Sequence, residues 1–200
     1  MTIGLVSDTH GYFDPKLREV LEGVDRILHA GDVGDDAVLH ELRAIAPARA
    51  VRGNVDSADS DLPLSLQLAL GGAAIHVLHI LPASQSDLET WAKSQREHKP
   101  MPKAAQRLSQ IFEPATEVVL FGHSHRAFLA SLCGLLWINP GSAGRRRFSL
   151  PRTCGLLRIS NERFDARIVP LESDAVGAAA QASIRRKRKP NPASRPPAVT

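Results

Sequence analysis

Five short apolar runs in this 200-residue chain each stop at the same kind of residue. "TIGLVS" runs into Asp8-Thr9-His10, and "DRILHA" into Gly31-Asp32. "ARAVR" runs into Gly53-Asn54-Val55-Asp56, "AAIHVL" into His79, and "VVLF" into Gly122-His123-Ser124-His125. Runs of this length, rich in β-branched and aliphatic residues, predict buried strands. Ligands of α/β sheets bind beyond the carboxyl ends of strands. Five segments far apart in sequence therefore deliver carboxylates, imidazoles and a carboxamide to one sheet edge.

The periodicity supports that arrangement. Residues 14–24 place Leu17, Val20, Leu21 and Val24 at helical spacing, with Pro15 at the start. Residues 35–45 place Val38, Leu42 and Ile45 on one face, after Asp35 and Asp36 as helix-start residues. Strands at 2–7, 25–32 and 48–54 complete a βαβαβ order, which implies a parallel sheet with right-handed crossovers. Further on, 64–80 reads as a hairpin turning at Gly71-Gly72, and 84–113 as two helices around Pro100 and Pro102. Residues 126–140 form a hairpin turning near Cys133-Gly134, and 153–171 a last one around Asn161-Glu162. The sum is an α/β sandwich, parallel in its first half and mostly antiparallel in its second.

Composition narrows the setting. No stretch approaches the roughly 20 apolar residues that cross a bilayer, and the N-terminus lacks the basic start of a signal peptide. Two cysteines, Cys133 and Cys154, outside any CxxC pattern, suit reduced core residues in a cytoplasmic protein. The net charge of +4 resides in the tail. Without the six basic residues that follow Asp174, 19 basic residues face 21 acidic ones. Residues 1–172 are read as one domain. Residues 173–200, basic and rich in proline, are read as a disordered tail able to contact nucleic acid or another polyanion.

The donor set is two carboxylates (Asp8, Asp32), one carboxamide (Asn54) and four imidazoles (His10, His79, His123, His125). Oxygen and nitrogen donors without thiolate suit manganese, iron, zinc, nickel or cobalt. Seven side chains exceed one tetrahedral site and suit two ions, with Asp32, central in the order, as the bridge. Gly31, Gly53 and Gly122 remove a Cβ where the backbone turns beside the cluster.

The run DxH, GD, GN, H, GHxH resembles the signature of the calcineurin-like metallophosphoesterase superfamily. The short chain, "LHAGD", "GNVD" and "INPGSAGRRRFSLPRT" (138–153) resemble its small YfcE-like phosphodiesterase branch. The resemblance covers roughly residues 2–170. It implies a four-layer αββα sandwich of mixed sheets with helices on the outer faces. It implies one ion on Asp8, His10, Asp32 and His125, and a second on Asp32, Asn54, His79 and His123. Manganese leads among the metals, and a hydroxide bridging the two ions attacks a small or nucleotide-like phosphodiester. Asp32, Asn54 and His123 are the implied catalytic residues, and Arg126 and Arg145 the candidate substrate contacts.

Two departures matter. Val55 stands where many superfamily members carry a histidine taken as general acid, and Ile80 follows His79 where the branch has glycine. A related branch, the retromer scaffold subunit, keeps the fold as a protein-binding platform. A scaffold with a degenerate metal site, and a nuclease on the same core, are the alternative readings.

Overall fold

The computed structural model describes residues 1–146, 149–172 and 182–188. Residues 147–148, 173–181 and 189–200 fall outside them, and most of the expected disordered tail lies in the last two stretches.

Two sheets pack face to face. The first has the order β11-β10-β9-β1-β2-β3. Here β1 is Thr2–Val6, β2 Arg26–His29, β3 Ala48–Ala50, β9 Thr153–Ile159, β10 Arg163–Pro170 and β11 Ser183–Lys187. The second has the order β4-β5-β6-β8-β7. Its strands are β4 Ser65–Leu70, β5 Ala73–Leu78, β6 Val118–Leu120, β7 Phe128–Leu132 and β8 Leu135–Asn139. Ile3, Leu5, Ile75, Val118, Leu136 and Leu157 meet between the sheets. Helices α1 (Lys16–Val20) and α2 (Asp36–Ile45) cover the first sheet through Leu17, Leu21, Val38 and Leu42. Helices α3 (Gln85–Arg96) and α4 (Lys103–Gln110) cover the second through Leu88, Trp91 and Leu108. The result is the four-layer αββα sandwich.

β1, β2 and β3 pair in parallel, as the alternation predicts. The second half holds more parallel pairing than expected, because β6 runs parallel to both β5 and β8. The α3–α4 segment returns the chain across the outer face of the sheet before β6, and β7, the antiparallel edge strand, returns it before β8. α1 is shorter than its apolar spacing suggests. The chain turns after Val20, and Gly23 takes φ +73°, which ends the helical path. Both cysteines are free, but only Cys154 is a core residue. Cys133 sits half-buried in the β7–β8 turn at φ 48°.

Part of the tail is ordered, which corrects the expectation of disorder for residues 182–188. β11 pairs antiparallel with β10, from Arg163 opposite Lys187 to Arg167 opposite Ser183. "SIRRK" alternates, so Ile184, Arg186 and Arg188 face inward. The stems of Arg186 and Arg188 cover apolar surface, while Arg186 Nη2 donates to the Gly134 carbonyl and the Arg188 head meets a carboxylate. Arg188 reaches both carboxylate oxygens of Glu117 and lies 5.5 Å over the Phe164 ring.

Candidate metal centre

The strands of both sheets end early so that the following residues can turn inward. β2 stops at His29 although the apolar run continues, and Gly31 and Asp32 then take φ 90° and 55°. Among the described residues, seven non-glycine residues have positive φ, and five are Asp8, His10, Asp32, His123 and His125. Such strain persists only where surroundings over-determine it, and it clusters at functional sites. Here the loops zip together. Asp8 N donates to Gly31 O at 3.0 Å, His10 N to Asp32 O at 3.0 Å, and Gly122 N to His79 O at 3.1 Å.

These turns assemble two adjoining groups of donor atoms. In the first, His125 Nε2 lies 3.3 Å from Asp8 Oδ1, and His10 Nε2 lies 3.6 Å from Asp32 Oδ2. The two Nε2 atoms are 3.1 Å apart. One ligand atom from each of these four residues falls within 4.8 Å of every other. In the second, His79 Nε2 is 3.2 Å from Asp32 Oδ1 and 3.1 Å from Asn54 Oδ1. Asn54 Oδ1 is in turn 2.9 Å from His123 Nδ1. Asp32 thus turns one carboxylate oxygen to each group.

The arrangement suits cations. Metal–ligand bonds of about 2.0–2.2 Å separate neighbouring ligand atoms by roughly 3 Å, the spacing seen in both groups. Asp8 is wholly buried, and its Oδ1 has no hydrogen-bond partner. Such an orphaned carboxylate oxygen is costly unless a cation completes it. Burial opposes the charge of Asp32, yet the bonds from His79 and from Val55 N–H hold its pKa down at about 2. Burial likewise opposes protonation of His79, but Asp32, Asp8 and the Ala30 carbonyl raise its pKa. Positive charge is therefore favoured at His79 Nε2, since Nδ1 faces the Ala30 carbonyl at 2.7 Å. Asp8, Asp32 and His79 form the buried floor, while Asn54 and His123 stand at the exposed rim.

Supporting residues fix these ligands. Burial pushes the pKa of His29 down to about 4, so its ring is neutral. Its Nδ1 accepts from Gly31 N at 3.2 Å, which places the proton on Nε2, facing Thr9 Oγ1 at 2.9 Å. Asp56 accepts from Gly34 N at 2.8 Å and Gly53 N at 2.7 Å, tying two ligand loops together. Ser142 Oγ donates to Asp8 O at 2.8 Å, and Asn139 Nδ2 donates to Gly122 O at 3.0 Å, so "NPGS" forms part of the floor. The close approaches need glycine: a Cβ on Gly122 would lie 2.1 Å from Ser7 Oγ.

Sequence reading missed Gln85 and Ser7. Gln85 is buried at the start of α3, and its Oε1 accepts from Ser124 Oγ (2.6 Å) and Asn139 Nδ2 (3.0 Å). Its Nε2 donates to Arg126 O at 3.0 Å, so one side chain clamps the "GHSHR" turn. Ser7 Oγ donates to Asp8 Oδ2 at 2.5 Å. The only local signal was a glutamine beginning a helix, which carries no chemistry by itself.

Of the candidate substrate contacts, Arg126 pairs with Glu89, and Arg145 lies 4.8 Å over the Tyr12 ring. The departure at Ile80 does not disturb the second group. Its side chain is 51% exposed, and His79 remains seated between Asp32 and the Ala30 carbonyl. Val55 is also exposed, and its backbone N–H donates to Asp32 Oδ1 at 3.0 Å.

The domain model of the calcineurin-like phosphoesterase superfamily matches residues 1–162. A protein named as a probable metallophosphoesterase of Methanocaldococcus jannaschii is 30% identical over 182 residues, which cover 86% of this chain and 82% of that one. Wild-type Vps29 from Entamoeba histolytica, crystallised with Zn²⁺, shares the fold with a TM-score of 0.65 at 17% identity. The match covers 94% of this chain and 99% of that one. An archaeal phosphodiesterase shares it with a TM-score of 0.59 at 23% identity, over 86% of this chain and 100% of that one.

Proposed function

The chain belongs to the calcineurin-like phosphoesterase superfamily, and we propose that its activity is the metal-dependent hydrolysis of a phosphodiester. The observation that carries this reading is the Asp32 carboxylate, 3.6 Å from His10 through one oxygen and 3.2 Å from His79 through the other. Asp8, His10, Asp32 and His125 would hold one divalent ion, and Asp32, Asn54, His79 and His123 a second. Ions there would neutralise phosphoryl oxygens and bring the pKa of a shared water towards neutrality. Oxygen and imidazole donors without thiolate suit manganese, with iron, nickel, zinc and cobalt as alternatives.

The chain's own residues define the rest. Asn54 and His123, exposed at the rim, are placed to meet the phosphoryl group. Asp32, held at a pKa of about 2, stays ionised and serves as ligand rather than acid. Val55 cannot protonate a leaving group, and losing such help costs about 10²–10⁴-fold. The reading is therefore a diesterase that works best on good leaving groups.

The test is turnover of a bis-aryl phosphodiester by metal-stripped protein refilled with manganese, beside Asp32→Ala. Manganese-dependent turnover that vanishes in the variant supports the reading. A folded, metal-loaded wild type with no turnover of this or any aryl phosphoester removes it.

A second reading, a nuclease on the same core, has one favouring observation. Arg158, Arg163, Arg167, Arg185 and Lys187 alternate onto the outward face of β9–β11, with Asp165 among them. Such a face attracts a polyanion by counterion release. Reversing Arg163 and Arg167 to glutamate should weaken single-stranded RNA binding and lower its salt slope by about 1.4. An unchanged slope sets this reading aside.

A further inference from the structure

Two cavities open beside the second donor group, and Ile80 lines both. The first, about 540 Å³, contains Asn54 and His79 with Arg52, Leu64, Leu78 and Ile80 around them. The second, about 440 Å³, contains His123 with Ser84, Ser86, Ser124, Arg126 and the other flank of Ile80. They meet at the rim of the centre, where Asn54 Oδ1 and His123 Nδ1 are 2.9 Å apart. Each volume lies within the range of small-ligand pockets.

Both cavities have largely apolar walls. Leu64 and Ile80 are 67% and 51% exposed, and Val55, beside Asn54, is 47% exposed. Only two other large hydrophobic side chains among the described residues are exposed, Met1 and Ile111. Apolar surface gathered at the mouth of a polar site marks a binding surface rather than chance exposure. In the second cavity Leu81, Ala83 and Phe121 adjoin Ile80, the Ser84 and Ser124 hydroxyls are already bonded to Asp87 and Gln85, and the Arg126 head pairs with Glu89 at the edge. A phosphodiester extends two ester groups from one phosphorus, whereas a monoester extends one. Two cavities converging on one pair of ligand residues fit the first shape.

Resting on the phosphodiesterase reading, we infer that Ile80 divides the substrate groove into two subsites. The Leu64–Leu78–Ile80 cavity takes an apolar, planar leaving group such as an aryl ring or nucleobase. The Leu81–Ala83–Phe121 cavity takes the retained ester group. Ile80 and the second cavity thereby favour diesters over monoesters.

Binding of unreactive analogues separates this from the hydrolytic reading. Phenyl phenylphosphonate has two arms on phosphorus, and phenylphosphonate has one. Each is titrated calorimetrically into manganese-loaded wild type, Ser86→Trp (which fills the second cavity) and Leu64→Ser. Ser86→Trp should weaken the two-armed ligand about tenfold more than the one-armed ligand. Leu64→Ser should weaken both ligands alike. Equal effects of Ser86→Trp on the two ligands, or none on the two-armed one, would overturn the inference even if the protein hydrolyses aryl diesters. Failure of hydrolysis with the expected binding pattern would instead overturn the catalytic reading alone.

Discussion

Gly53 lies so close to Asp32 that a Cβ on it would sit 2.1 Å from Asp32 Oδ1 and 2.2 Å from the Asp32 backbone nitrogen. The constraint is steric, since β3 and the loop after β2 bring two backbones into direct contact behind the Asp32 carboxylate. Gly53→Ala must therefore push Asp32 away from His79 or push the Asn54 loop outward. We predict an overpacking loss of about 1–3 kcal/mol, read as a lower urea midpoint in chelator. A larger effect should fall on manganese affinity, measured by titration. A variant with wild-type manganese affinity would show that Asp32 tolerates displacement.

Gln85 holds the "GHSHR" turn without being able to reach a metal itself. Its Oε1 accepts from Ser124 and Asn139, and its Nε2 donates to the Arg126 carbonyl. Gln85→Leu removes these three bonds, and a fourth to Glu89 Oε1, while keeping most of the buried volume. Loss of such orienting partners typically costs 10–100-fold in metal affinity or activity. Gln85→Glu keeps the two acceptor roles and should recover part of the loss. Equal manganese titrations for wild type and Gln85→Leu would reduce the glutamine to a packing residue.

The contrast between Asp8 and Gln85 explains what the sequence made legible. Asp8, His10, Asp32, Asn54, His79, His123 and His125 each end an apolar run, so a local pattern marks every one. Their meeting point follows from the parallel order of the strands. Gln85, Ser7 and Thr9 act only through contacts made after folding, and nothing in their neighbourhood announces that. β11 was hidden for a related reason. "SIRRKRK" looks like a solvated basic run, and its strand character depends on Phe164 and Glu117, which lie far away in the chain. Composition measures average hydrophobicity, whereas this strand is held by one edge of β10 and by ion pairs.

Arg188 closes that strand onto the second sheet. Its side chain is 5% exposed and that of Glu117 is 13% exposed, and the guanidinium also approaches the carbonyls of Gly71 and Gly72. Breaking a buried pair leaves the other charge uncompensated, at a cost of about 3–5 kcal/mol. The residual exposure of Glu117 points to the lower end. We predict that Arg188→Ala lowers stability by about 3 kcal/mol in urea unfolding, whereas Lys187→Ala, on the outward face, changes it by less than about 0.5 kcal/mol. Equal effects of the two substitutions would mean that β11 is only loosely held.

His29 gives the metal-free protein a defined response to acid. Its folded pKa is about 4 against an ordinary 6.5, because burial excludes the charged ring. Between these values the unfolded chain binds a proton that the folded chain does not. Lowering the pH from 6.5 towards 4 therefore pulls the equilibrium towards unfolding. From pH 7 to pH 5 this one group should remove about 2 kcal/mol of stability. His79 acts in the opposite sense. Its raised pKa stabilises the folded state at low pH, and that contribution is lost as pH rises through the folded value. The two are separated by comparing wild type with His29→Gln, which retains a polar group near Thr9 and Gly31 but cannot titrate. The variant should be less stable at pH 7 for its poorer bonds, yet lose less on going to pH 5. Parallel urea-midpoint profiles for the two proteins would show that His29 is not the group that senses acid.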